Sequence, residues 1–304
     1  MADLATTSES EDVGRKWMLQ SEREFRSCIA MNTRDDYSYQ SMARLFLEWA
    51  KRVKSPDEAS EYVTKSEETI SEGLRQVRER ESLWIVSSEV QKWLANEPGR
   101  ITKLRTAVAE NISSVIPRYL LGRAYREQGD PEKCIEILDP VLKTNFREFR
   151  SFVLYVRAML DLNQSYAKCI AVLSQCQTDG IADPSYVGLL GGLLCMDGKG
   201  DEAAKIFDES TRQGFSFDEK NRVQFRPRDS SNREVRLRLS GTVVAVKPAY
   251  VFVQNEKFSD FMSRTTRVES TILQRGMKVT FEPAFSARGA QGFNVQLAQA
   301  VPGT

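Results

Sequence analysis

The sequence predicts an α+β chain in two parts, an array of helical hairpins followed by a small five-stranded β-barrel. Three observations predict it. Helical segments recur at a period near 34 residues over 117–215, and the apolar periodicity turns from helical to alternating near residue 235. Charge divides along the same line. Residues 1–211 carry 28 basic and 34 acidic side chains and residues 212–304 carry 15 and 8, so a net charge of +1 conceals halves of −6 and +7. An acidic scaffold joined to a basic working module accounts for such a split.

The repeat aligns three segments. The first holds Leu121, Gly122 and Tyr125, then Gly129, Cys134 and Leu138; the second holds Ala158, Cys169, Leu173 and Cys176; the third holds Gly191, Gly198, Ala203 and Phe207. Cys134, Cys169 and Ala203 are spaced by 35 and 34 residues. Small residues at Gly122, Ala158 and Gly191 let the first helix of a pair approach the second, and Cys134, Cys169 and Ala203 do the same from the other side. The large apolar residue four positions later (Leu138, Leu173, Phe207) fills the seam. Asp130 before Pro131 and Asp183 before Pro184 read as N-caps followed by proline at the first helical position. Upstream, Tyr39, Ala43, Phe46 and Trp49 predict one helix, 57–77 a second, and 81–95 with 99–116 another pair. The four tryptophans, Trp17, Trp49, Trp84 and Trp93, read as core.

This pattern resembles the tetratricopeptide (TPR) repeat, with the match centred on 117–215. The resemblance implies an α-solenoid over 13–214, stacked as one cooperative array that binds or positions protein partners. Residues 1–12, polar and acidic, read as a disordered tail rather than a secretory signal.

Composition excludes several chemistries. There is no histidine, which removes Ser–His, Cys–His and His-ligated metal sites together. The five cysteines lack Cys-x-x-Cys spacing, which argues against both a disulfide framework and a thiolate zinc site and suits a reducing, cytoplasmic setting. No apolar run approaches the ~20 residues needed to cross a bilayer. No catalytic residue, metal site or cofactor is assigned, and the expectation is a non-enzymatic protein.

Residues 215–234 read as a basic linker, with Arg222, Arg226, Arg228 and Arg233 among Val223, Phe225 and Pro227. It is either a solvated connection or a basic apron that contacts phosphates. Over 235–300, five short strands are expected, at 236–239, 241–246, 249–253, 277–282 and 293–297. A polar loop is expected over 254–267. Short strands in about 65 residues suit the oligonucleotide-binding (OB) fold.

Gly241 and Val243, then Leu273, Gly276, Val279, Phe281 and Glu282, then Gly289, Asn294 and Val295 resemble the cold-shock domain in order and spacing. Ala245 and Val246 replace that family's aromatic pair, and the histidine of its second ribonucleoprotein motif is absent, the motif matching only loosely at 258–264. The resemblance implies single-stranded nucleic acid, RNA before DNA, as ligand. Period two places Tyr250 and Phe252 on one face and Val251 and Val253 inward. Tyr250, Phe252, Phe261 and Phe293 are the candidate stacking rings, and Lys247, Arg264, Arg267 and Arg288 the candidate phosphate contacts. Alternatively the barrel is a protein-interaction cap, and both parts form a pure scaffold. Helical repeats followed by such a barrel also resemble the C-terminal end of multidomain antiviral and anti-phage effectors.

Overall fold

The computed structural model describes residues 11–177, 183–211, 215–229, 235–255, 258–263, 267–268 and 271–298. Among these, twelve helices precede seven strands. The chain divides into two compact units, Met1–Val141 and Leu142–Thr304.

The first unit holds α1 (Glu11–Met31), α2 (Asp36–Ala50), α3 (Pro56–Gln76), α4 (Glu81–Trp93), α5 (Glu97–Glu110), α6 (Val115–Glu127) and most of α7 (Pro131–Thr144). Its core gathers Met18 from α1, Tyr39, Phe46 and Trp49 from α2, Tyr62 and Ile70 from α3, and Leu83 and Val86 from α4. Two caps fix starts: the Ser55 and Asn96 side chains accept from the Glu58 and Gly99 amides. The repeat positions act as the spacing requires. A Cβ on Gly122 would lie 3.1 Å from Leu138 of α7, and Cys134 and Leu138 are wholly buried. Arg100, almost fully buried, is neutralised by Glu97 and Glu127 at 3.1 and 2.8 Å. Trp49 is core as expected, whereas Trp93, the last residue of α4, is exposed. The predicted helix over 99–116 ends earlier, at Glu110; the Asn111 amide bonds back to Ala107 and its backbone turns extended.

The second unit contains α8 (Phe149–Asp161), α9 (Tyr166–Leu173), α10 (Pro184–Met196), α11 (Gly200–Thr211), the single-turn α12 (Phe217–Asn221) and the strands. The Asp183 carboxylate accepts from the Ser185 and Tyr186 amides with Pro184 at the first helical position, as the sequence expects. Helix α10 is buried from Tyr186 to Cys195 with no solvent face, the signature of a central element rather than a surface helix. One side of it meets α11, where Gly191 accommodates the Phe207 ring: a Cβ there would sit 2.4 Å from ring carbon Cζ. A neighbouring face meets the barrel. A Cβ on Gly192 would come within 2.9 Å of both Phe225 and Phe285, and one on Gly188 within 3.0 Å of Gln224 and the Ser286 backbone.

Strands β1 (Leu239–Val246), β2 (Val251–Asn255), β3 (Phe258–Ser263), β6 (Lys278–Ser286) and β7 (Gly289–Leu297) close into a barrel in the order β1-β2-β3-β7-β6. All neighbours are antiparallel except β3 and β7. A separate ribbon, β4 (Arg267–Val268) with β5 (Thr271–Ile272), lies between β3 and β6 in sequence. Val243, Val251, Val253, Phe261, Val279, Phe281 and Phe285 are completely buried and fill the barrel. β3 forms where the polar composition of 254–267 suggests a loop. A register shift between Val253 and Asn255 breaks the alternation there, so period two is not visible across the segment.

Residues 215–229 are bonded to the barrel. A capping box between Ser216 and Glu219 starts α12, the Phe285 amide donates to Phe225 O at 2.9 Å, and the Gln224 amide donates to Phe285 O at 2.8 Å. Phe225 is buried and stacks on Phe285 with centroids 5.8 Å apart. The connection thus passes between α10 and β6 as a filler layer.

Candidate nucleic-acid interface

The outer surface of β2 displays the two central candidate rings. Val251 and Val253 are fully buried, so the residues between and before them point out, and Tyr250 and Phe252 are half-buried. Their rings meet edge to face, centroids 5.5 Å apart at 90°. Phe252 lies opposite Ala245 on β1 and Met262 on β3. Lys247 is exposed in the β1–β2 turn, which its amide closes by donating to Tyr250 O at 2.8 Å.

Phe293 projects from the same wall, two strands away. Phe252 and Gln291 both lie opposite Met262. Tyr250 precedes Phe252 by two and Phe293 follows Gln291 by two. The antiparallel β2 and the parallel β7 therefore carry both rings toward the same end of the face. The Arg226 guanidinium sits over the Phe293 ring, 4.5 Å from its centroid.

Other candidates are placed differently. Phe261 cannot serve as a stacking ring. Its register opposite Val253 turns it inward, where it is wholly buried against Phe281 (4.9 Å) and Phe285 (6.0 Å). Arg288 is exposed in the β6–β7 turn and donates to Asn221 at 3.3 Å. Because β1 and β6 are antiparallel, that turn lies at the end of the barrel opposite Lys247, so the structure does not bring those two cations together. Arg264 lies outside the described residues, as does the side chain of Arg267, which opens β4.

Three features escaped sequence reasoning. One is the Arg226–Phe293 pair. The second is Met262 beside Phe252. The third is the docking of the barrel through β6 and β7, the strands in contact with α10, rather than through β2. A signal for the third existed: Gly188 and Gly192, one helical turn apart in an apolar run, mark a face built for close approach. Among the described residues no three Cys, Asp or Glu side chains converge as a metal site, and no helix is long and apolar enough to cross a membrane.

No family model matches the chain, and no curated protein does. Solved structures are similar to it. One is PilF of Pseudomonas aeruginosa (13% identity, TM-score 0.48, covering 69% of this chain and 90% of that one). A second is a thermophilic TPR protein of Thermus thermophilus (16%, 0.39, 65% and 91%). A third is YrrB, a TPR protein with an unusual peptide-binding site (12%, 0.41, 61% and 89%). The chain's own repeat spacing and hairpin packing make it a TPR-like helical array followed by a closed five-stranded barrel.

Proposed function

We propose that this is a non-enzymatic, cytoplasmic adaptor. Its cold-shock-like barrel binds single-stranded nucleic acid, RNA in preference to DNA, and its helical array engages protein partners. The observation that carries the reading is the outer face of β2. Two adjacent, partly exposed aromatic rings and an exposed lysine stand on the wall that OB folds use for oligonucleotides, while α10 meets the barrel at Phe285 and Ser286 of β6. Aromatic rings on a basic surface stack bases at ~1–3 kcal/mol each with little sequence preference, and phosphate contacts add a strong salt dependence. With Phe261 buried, the platform is small, which supports weak binding.

The test is fluorescence anisotropy of the full chain with labelled oligo-U and oligo-dT at low and moderate salt. Binding that weakens steeply with salt and is lost in the Tyr250→Ala/Phe252→Ala double variant supports the reading. Absence of binding to either oligonucleotide at low salt refutes it and leaves a pure protein-interaction scaffold.

A further inference from the structure

The end of β7 is built with more care than a barrel wall requires. Its pairing with β6 shifts register between Thr280 and Glu282, and Asn294, a residue with a Cβ, holds φ at +48°. A left-handed non-glycine residue is costly unless its surroundings over-determine it. Here they do. The Asn294 side chain donates to Glu282 at 2.9 Å, and Arg238 donates to Asn294 O at 2.9 Å, to Thr280 Oγ1 at 3.0 Å and to Glu282 at 3.4 Å. A bulge of this kind re-aims the neighbouring side chain. That neighbour is Phe293, half-buried and overlaid by the Arg226 guanidinium. Arg226 is held in turn between two buried residues, Phe225 and Pro227, so its backbone cannot drift from the ring.

We infer that Arg226 and Phe293 form a second stacking step of the nucleic-acid site, with the guanidinium plane, backed by the ring, receiving an unpaired base. Guanidinium planes accept bases as aromatic rings do, and their charge also meets the phosphate. The step rests on the proposed binding of single-stranded nucleic acid. It extends that path from the β2 rings across β3 to β7, toward the end of the face where Tyr250 also lies. It also gives the preceding segment a direct part in the site, which a bare barrel would lack.

The experiment compares full-length wild type with Arg226→Lys, Arg226→Ala and Phe293→Leu, using labelled oligo-U of stepped length. Far-UV circular dichroism and melting temperature verify folding. Arg226→Lys keeps the charge and removes the plane. It is expected to lose at least about fivefold affinity for long oligonucleotides while leaving short ones, which occupy only the β2 rings, unchanged. Phe293→Leu is expected to follow it. Wild-type affinity in folded Arg226→Lys, alongside loss in Tyr250→Ala/Phe252→Ala, overturns the second step and spares the binding site. Equal loss at every length also overturns it, because the two steps would then not be separable. If the wild type binds no oligonucleotide, both this inference and the function beneath it fall.

Discussion

Replacing Gly192 by alanine tests the docking of the barrel on α10. In an isolated helix the change would stabilise, because glycine costs ~0.5–1 kcal/mol relative to alanine. Here the added Cβ would lie 2.7 Å from Phe225 and 2.8 and 2.9 Å from Cγ and Cβ of Phe285. Phe285 is wholly buried and its backbone is bonded to Phe225 and Gln224, so the β-carbon cannot retreat without moving β6. Overpacking of this kind costs ~1–3 kcal/mol, which exceeds the propensity gain. Net destabilisation should be about 1–2 kcal/mol, or a melting temperature lowered by roughly 2–8 °C. The assay is thermal and urea unfolding by circular dichroism, run as a series. Gly188→Ala, which meets the Ser286 backbone at 3.0 Å, should behave like Gly192→Ala. Gly191→Ala should cost less, since it meets only the outer atoms of the partly exposed Phe207 ring. Gly200→Ala, with nothing within 4 Å, should be neutral or stabilising. A Gly192→Ala protein as stable as Gly200→Ala would refute the close approach.

Four further outcomes follow from the same geometry. The fragment 142–304 should be folded, whereas 215–304, stripped of α10, should expose Phe225 and Phe285 and aggregate or melt far lower; equal stability by circular dichroism would contradict the packing. Phe261→Ala should cost ~3–5 kcal/mol as a core truncation; a folded variant of unchanged stability that had lost only nucleic-acid binding would contradict its burial. In a thiol titration of native protein near pH 8, Cys28 alone is exposed and should react quickly. Burial pushes the Cys169 thiol up to about 11, Cys176, with Glu148 nearby, to about 11, and Cys195 to about 12; two or more fast thiols would contradict this. Burial raises the Glu127 carboxyl, but hydrogen bonds and charge from Arg100 and Arg123 outweigh it and hold it below its ordinary value. A depressed carboxyl contributes stability above its unfolded pKa and loses it as pH falls through the folded one. The stability gap between wild type and Glu127→Gln should therefore narrow below about pH 4; a gap independent of pH would exclude the carboxylate as its source.

Repeat and barrel were legible for different reasons. Gly122, Cys134 and Leu138 could be placed because hairpin packing imposes size constraints at fixed spacing, and those constraints survive in one sequence. The inward Val251 and Val253 and outward Tyr250 and Phe252 could be placed because period two is unbroken across them. Phe261 could not, because the irregularity beyond Val253 shifts its phase and turns an expected surface ring into core. Trp93 misled for a related reason: a large apolar residue at a helix end has no periodic partner to reveal which way it points. The Arg226–Phe293 pair joins residues 67 apart through a bulge, and no local pattern encodes it.

The all-round burial of α10 has a consequence for synthesis. Phe285, which closes its glycine face, follows Gly192 by about ninety residues, and a ribosome adds ~5–20 residues per second. For roughly five to twenty seconds an apolar helix has been made whose cover has not. During that interval the nascent chain offers a chaperone, or another nascent chain, the very surface the finished protein hides. Slowing elongation between residues 196 and 285 should therefore lower the soluble yield, while supplying the barrel earlier by circular permutation should raise it.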